Sequence, residues 1–292
     1  MIPVLFLFLG FFAGLTPKTI VNESLSVPEV YISQTSVEQG EVLFIKIKNS
    51  SNIKSVTGKI GLKKIIFFKP QEDKDWIGFS GIDASKPPGA YKLVINFDKS
   101  EFDKEITVVE RKVLLTKLEI TRTLREKGFT QEKIISDIGG DNAVLNKILL
   151  ALDPENYIKK AFVYPLSKIK VVGEFGNIRE GQYGSARHLG VDLQAPTGAE
   201  VYAANSGIVR FAENLETSGN TIIIDHGSGI FSLYLHLSEI GGKVGEFVEH
   251  GQTIGLSGNT GYSIAPHLHF SIKINGSSVD PLKFVELTQT EM

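Results

Sequence analysis

The chain has 292 residues, 42% of them hydrophobic and 22% charged, and a formal charge of −2. That length holds about two domains of roughly 150 residues, and the near-neutral balance, with no Lys/Arg cluster interleaved with aromatics, argues against a nucleic-acid partner. Cysteine is absent, which removes disulfides, thiolate nucleophiles and thiolate metal sites. Any metal must be held by His, Asp or Glu.

The chain opens on an apolar run, Ile2 to Leu15, with Leu5, Phe6, Leu7, Phe8, Leu9, Phe11 and Phe12. It is short for a membrane span but suits the apolar core of an export signal. No Lys or Arg precedes it and no small-x-small cleavage site follows. Residues 1–20 are expected to act as an export signal or anchor, placing the protein in the periplasm or cell envelope, with membrane contact only through this segment if it stays uncleaved.

From 28 to 110 short β-branched or alternating runs dominate: Val30 to Ile32, Val42 to Ile47, Lys64 to Phe68, Tyr91 to Ile95 and Glu105 to Val109, separated by turn signals such as Gln39-Gly40 and Pro87-Pro88-Gly89. Their spacing predicts an antiparallel β-sandwich of immunoglobulin-like architecture. Trp76, the only tryptophan, reads as core. No histidine precedes His188, so chemistry is not expected here, and an envelope protein is the partner this domain would take.

Residues 111–160 switch to helical spacing, with Leu114, Leu115, Leu118 and Leu124, then Ala143, Val144, Ile148, Leu149 and Leu152. Gly139-Gly140 reads as a break and Asp141 as the N-cap of the next helix. This connector is expected to pack the two β regions together; the alternative is a lid that covers a groove and restrains activity.

Residues 161–287 are β-rich and dense in glycine, as tight turns between short strands require. In His267-Leu268-His269-Phe270 the alternation of an extended chain sends both imidazoles to one side and both apolar side chains to the other. His188 and Asp192 repeat the arrangement around Leu189, Val191 and Leu193. A third segment, Phe231 to Leu237, puts His236 on a polar face beside Tyr234 and Ser232. Four of the six histidines fall in these patterns. Zinc in a hydrolase typically takes three protein ligands and leaves one position for water; His188, Asp192 and one of His267 or His269 would supply them. The remaining histidines could move protons. No His-Glu-x-x-His helix is present. His226 reads as structural, His250 as an exposed turn residue, and Asp225 and Asp280 as acceptors for turn amides.

The C-terminal stretch resembles the lysostaphin-type or LytM-type cell-wall metallopeptidases. The resemblance runs through Phe175-Gly176-Asn177-Ile178-Arg179, His188-Leu189-Gly190-Val191-Asp192-Leu193, Ala195 to Val201, Gly219 to Gly227, Tyr234 to Ser238, Gly251 to Gly255, Ser257 to Gly261 and Pro266-His267-Leu268-His269-Phe270. It implies a twisted antiparallel β-sheet domain with a groove along the metal, one zinc ion per chain held by His188, Asp192 and His269, and His236 and His267 as the catalytic pair. Tyr183 is the substrate-contacting tyrosine it would supply. Peptide cross-links of peptidoglycan are the implied substrate. The rival reading is a catalytically silent module that binds cell wall and activates another murein hydrolase; silent relatives usually lack ligands or catalytic histidines, whereas all five positions are filled here. A secreted peptidase acting on proteins would keep the same chemistry and differ in its groove.

Overall fold

The computed structural model describes residues 27–70, 75–150 and 155–292. The apolar run near the start and its expected role as signal or anchor lie outside the described residues. Short runs of Val, Ile and Phe closed by glycine and asparagine turns make the protein mainly β.

The first part forms two sheets. One orders Glu29–Ile32, Val42–Lys48, Trp76–Gly81 and Phe67–Phe68; the other orders Ser36–Glu38, Ser100–Val109, Gly89–Phe97, Val56–Ile60 and Lys63–Ile65. Along Val42–Lys48 the side chains alternate between two cores. Leu43, Ile45 and Ile47 pack with Leu93, Ile95 and Ile106 of the other sheet, while Val42 and Phe44 face the C-terminal half. Burial on both faces explains why this strand reads as a nearly unbroken apolar run. The run Lys64 to Phe68, expected as one strand, is two: Lys63–Ile65 pairs in one sheet and Phe67–Phe68 in the other. Trp76 packs against the core between the sheets, half-buried, its Nε1 donating to Ile53 O at 3.1 Å.

Phe44, Phe79, Phe284 and Phe162 form a chain of ring contacts with centroids 5.4, 5.4 and 4.8 Å apart. It carries the four-stranded sheet onto the C-terminal helix Pro281–Glu291. Each such ring contributes about 1.5–3 kcal/mol by leaving water. Asp280 caps that helix, its Oδ1 accepting the Leu282 and Lys283 amides, and its other oxygen pairs with Arg111.

Between these parts run a strand, Leu115–Lys117, and two helices, Arg122–Glu126 and Gln131–Leu150. The longer helix passes through Gly139-Gly140 without a break, so Asp141 is not an N-cap but a buried residue in mid-helix. Two glycines cost a helix about 1 kcal/mol each relative to alanine. Tertiary contacts offset this: Leu145 and Leu149 pack against Phe211, Ile223, Phe231 and Leu233, and the Asp141 carboxylate accepts hydrogen bonds from Thr217 and Ser218. The helix begins instead at Thr130, whose hydroxyl accepts the Lys133 amide.

The C-terminal part is built on an antiparallel sheet in the order Val171–Gly173, Val191–Gln194, His267–Ile274, Ile230–Leu237, Gly219–Asp225, Gly207–Leu215 and Phe247–Val248, with Ser277–Val279 beside His267–Ile274. One face sends Leu268, Phe270, Ile272, Tyr234, Ile222 and Ile224 into the main core. The opposite face is apolar where the long helix covers it and polar where it opens into a cleft. Among the described residues no helix is long and apolar enough to cross a membrane.

Candidate metal centre and cleft

Strands Val191–Gln194 and His267–Ile274 pair antiparallel with Asp192 opposite His269, so both side chains rise from one face at neighbouring positions. His188, just before the first strand, folds back over them. Nε2 of His188, Oδ1 of Asp192 and Nδ1 of His269 form a triangle with edges of 3.0, 3.0 and 2.9 Å. The three side chains are 11–13% exposed.

The outer partners fix the tautomers. His188 Nδ1 lies 2.8 Å from the Glu174 carbonyl and must donate to it. Ser271 donates its hydroxyl proton to Leu189 O, so its oxygen accepts from His269 Nε2, 2.9 Å away. Burial, against the partly offsetting Asp192 carboxylate, pushes the His269 imidazolium pKa down to about 4, leaving the ring neutral at pH 7. Burial of Asp192 would raise its carboxyl pKa, but the imidazoles of His188, His267 and His269 around it outweigh burial and hold it far below the usual range, so it is a carboxylate. The three atoms lie about 3 Å apart and converge on one point, where a bound cation would satisfy all of them. Two imidazole nitrogens and a carboxylate oxygen form a donor set that suits a divalent metal of the zinc kind, and each imidazole has the outer hydrogen bond that orients a metal-binding histidine.

Two glycines make room for this cluster. A Cβ on Gly190 would lie 2.5 Å from His269 Nε2 and 2.3 Å from Ser271 Oγ, and one on Gly173 would lie 2.4 Å from Asp192 Oδ2.

His267 adjoins the cluster, its Nε2 3.4 Å from Asp192 Oδ1. Its Nδ1 donates to Ala265 O at 2.8 Å, beside the Ser263 hydroxyl. Burial lowers its pKa, but the Asp192 carboxylate outweighs burial and raises it overall. His236 stands with ring centroids 4.8 Å from His267 and 6.0 Å from His269, its Nδ1 donating to Thr260 O at 2.9 Å. Burial, then the neighbouring His267 and His269, drives its pKa well down. In both rings Nε2 is left as the atom available to the cleft.

His236 does not reach the cleft by strand alternation. Ser232 and Tyr234, expected beside it on a polar face, are wholly buried on the core side. The residues that do line the cleft are Leu233 and Leu235. His236 has φ +64°, and the pairing with Gly219–Asp225 slips between Asn220/Leu237 and Ile222/Tyr234. This bulge switches the alternation, so Leu237 returns to the core that holds Tyr234. A left-handed non-glycine residue costs about 1–3 kcal/mol and persists where its surroundings impose it.

The cleft measures about 600 Å³ and is lined by these five residues, by Arg179, Arg187, Tyr262 and Lys273, and by Ile138, Asp141, Asn142 and Leu145 of the long helix. Tyr183 is not among the lining residues; it sits at the exposed tip of the hairpin Ile178–Gly181/Gly184–Arg187. His226 is buried against Phe162, with Nδ1 donating to Ser206 O. His250 is half-buried rather than exposed, its ring 3.2 Å from Ala161 O. Asp225 accepts the Gly227 amide and faces Arg210.

Sequence reasoning missed Ser271, Ser263 and Asp141. Ser271 was within reach, since it stands two residues after His269 on the same strand face. Ser263 acts through a loop and carries no local signal, and the local signal at Asp141 points to an N-cap instead.

Residues 186–281 match the family model described as Peptidase family M23. The Peptidoglycan DD-endopeptidase ShyA of Vibrio cholerae serotype O1 is 43% identical over 98 residues, covering 34% of this chain and 23% of that protein. ShyB of the same organism, also named a peptidoglycan DD-endopeptidase, is 24% identical over 314 residues, covering 94% of this chain and 72% of that protein. A solved Pseudomonas aeruginosa structure described under peptidase M23 shares the fold with a TM-score of 0.56 at 23% identity, over 79% of this chain and 87% of that one. The match to ShyA thus spans under a quarter of that relative's length. The family model and the ligand cluster coincide on one stretch: residues 186–281 are a Peptidase family M23 domain of the lysostaphin or LytM type.

Proposed function

We propose that the protein is a zinc endopeptidase that hydrolyses peptide cross-links of peptidoglycan in the cell envelope. The observation that carries the reading is the convergence of His188 Nε2, Asp192 Oδ1 and His269 Nδ1 in a cleft beside two more imidazoles whose Nδ1 atoms are already committed to backbone carbonyls. His188, Asp192 and His269 would hold one zinc ion. Zinc bound there supplies Lewis acidity toward a carbonyl and lowers the pKa of water.

The chain's own residues do the rest. His236 and His267 present Nε2 toward the cleft, where one imidazole can accept a proton and the other can donate a hydrogen bond to a developing oxyanion and a proton to the leaving amine. Thr260 O and Ala265 O keep each ring in the tautomer that leaves Nε2 unprotonated in the neutral state. Leu233 and Leu235 form an apolar floor, while Arg179 and Arg187 give the wall a positive charge suited to the carboxylates of stem peptides. The names of ShyA and ShyB support peptidoglycan as substrate, and the apolar run Ile2 to Leu15 supports export.

The test is zinc content and release of peptides from purified peptidoglycan, measured on one preparation lacking residues 1–20, with and without a chelator. One zinc per chain with chelator-sensitive release is expected. Bound zinc without hydrolysis would overturn the enzyme and favour a silent wall-binding activator. Cleavage of a protein substrate in preference to peptidoglycan would overturn the substrate class.

A further inference from the structure

Two ionic side chains of the connector grip the loops that orient His236 and His267. Lys127 lies at the surface with its ammonium turned inward, donating to the carbonyls of Asn259 at 2.7 Å, Ser263 at 2.8 Å and Gly261 at 3.3 Å. These three carbonyls use the ammonium's whole donor capacity. They bracket Thr260, whose carbonyl receives the His236 Nδ1 proton, and include Ser263, whose hydroxyl shares Ala265 O with the His267 ring.

Asp141 makes the second grip. Its Oδ2 accepts the Thr217 amide and hydroxyl at 3.0 and 2.6 Å and the Ser218 amide and hydroxyl at 2.8 Å each. Hydrogen bonds to a charged acceptor are about twice as strong as neutral ones, and Asp141 is only 6% exposed. The Ser218 carbonyl then accepts the His236 backbone amide at 2.9 Å, and the Thr217 carbonyl accepts the Tyr262 amide at 2.8 Å. Phe129 reinforces the contact by standing edge-on to the Tyr262 ring at 5.8 Å. Backbone and ring of the left-handed His236 are thus each held by a loop that the connector ties down.

We infer that Lys127 and Asp141 are positioning residues for His236 and His267, and that the connector is a working part of the catalytic unit rather than a restraint on it. The inference rests on the zinc-peptidase reading for its link to turnover. Released from the grip, the loop carbonyls lose their fixed places, and His236 relaxes toward ordinary φ with its ring turned to the Tyr234 side.

The experiment uses the full zinc-loaded chain with Lys127→Met, Lys127→Arg and Asp141→Asn. It reads zinc content, circular dichroism, kcat and KM on a cross-linked muropeptide, and solvent exchange of the His236 Nδ1 proton by NMR. Lys127→Met is expected to keep zinc and fold, hold KM within about twofold, lower kcat by roughly ten- to a hundredfold as misplacement does, and speed Nδ1 proton exchange. Lys127→Arg restores most of both, and Asp141→Asn reproduces the Lys127→Met pattern. Unchanged kcat and exchange in folded Lys127→Met and Asp141→Asn would overturn the inference, as would a kcat above that of the parent. If the parent itself hydrolyses nothing while the variants still lose Nδ1 protection, the peptidase reading falls and the positioning role stands.

Discussion

The two corners of the cleft are built in different ways. The ligand corner is a product of regular pairing: Asp192 faces His269 across an antiparallel ladder, and its supporting groups, Glu174 O and Ser271, lie close in the same architecture. The corner of His236 and His267 depends on irregularity. It needs a left-handed residue, a slipped register and two loops held from the connector. The sheet by itself sets Asp192 beside His269, whereas the rings of His236 and His267 are held by contacts from distant parts of the chain.

The largest expected effects separate the two corners. His188→Ala leaves two donors where three are needed, so zinc and turnover should vanish together; metal analysis and hydrolysis on the same sample check this. His236→Ala should keep zinc and lower kcat about 10²–10⁴-fold, the range for losing a positioned acid or base. If His236→Ala also lost its zinc, the corners would be one unit and the contrast would be broken.

This difference also explains what the sequence could reveal. His-x-His is a period-two signal and the ladder that carries it obeys the same period, so a shared face for Asp192 and His269 was legible from spacing; His188 reaches them from the loop before Val191–Gln194, and spacing left open which of His267 and His269 completes the set. His236 was placed on the right segment for the wrong reason, because nothing in Phe231 to Leu237 announces the switch of alternation at a left-handed residue. The connector misled more strongly. Gly139-Gly140 followed by Asp141 has the local chemistry of a helix break and N-cap, yet Asp141 serves loop 217–218 from mid-helix. Its partners are more than seventy positions away in sequence, beyond the reach of any local pattern. The mainly β character was legible for the converse reason: turns and β-branched runs are local.

A smaller effect sharpens the ligand corner. Ser271→Ala removes the oxygen that accepts from His269 Nε2 and leaves the ring free to rotate or change tautomer. Losing such an outer partner typically weakens metal affinity about 10–100-fold. Titration against a competing chelator measures it, and zinc affinity equal to that of the parent would show that the ladder alone orients His269.

A last effect belongs to a histidine in neither corner and serves as a control for both. His226 is fully buried, and desolvation pushes its pKa down to about 4 despite its hydrogen bond to Ser206 O. An unfolded histidine titrates near 6.5. Between those two values the unfolded chain binds a proton that the folded chain does not, so stability rises with pH across the window. The contribution is complete above about pH 6.5 and is lost as pH falls toward 4, amounting to on the order of 3 kcal/mol in all. His269 is also held down to about 4, so the parent's pH profile carries both contributions together. The difference between the parent and His226→Gln separates them, because the ligand cluster is common to both and the sites share no partner. Urea unfolding of metal-free samples at pH 7.5 and 5 should show a shallower pH dependence in His226→Gln, with the ligand corner's own titration unchanged. An identical slope in the two proteins would mean that the acid sensitivity of the fold resides wholly in the cleft.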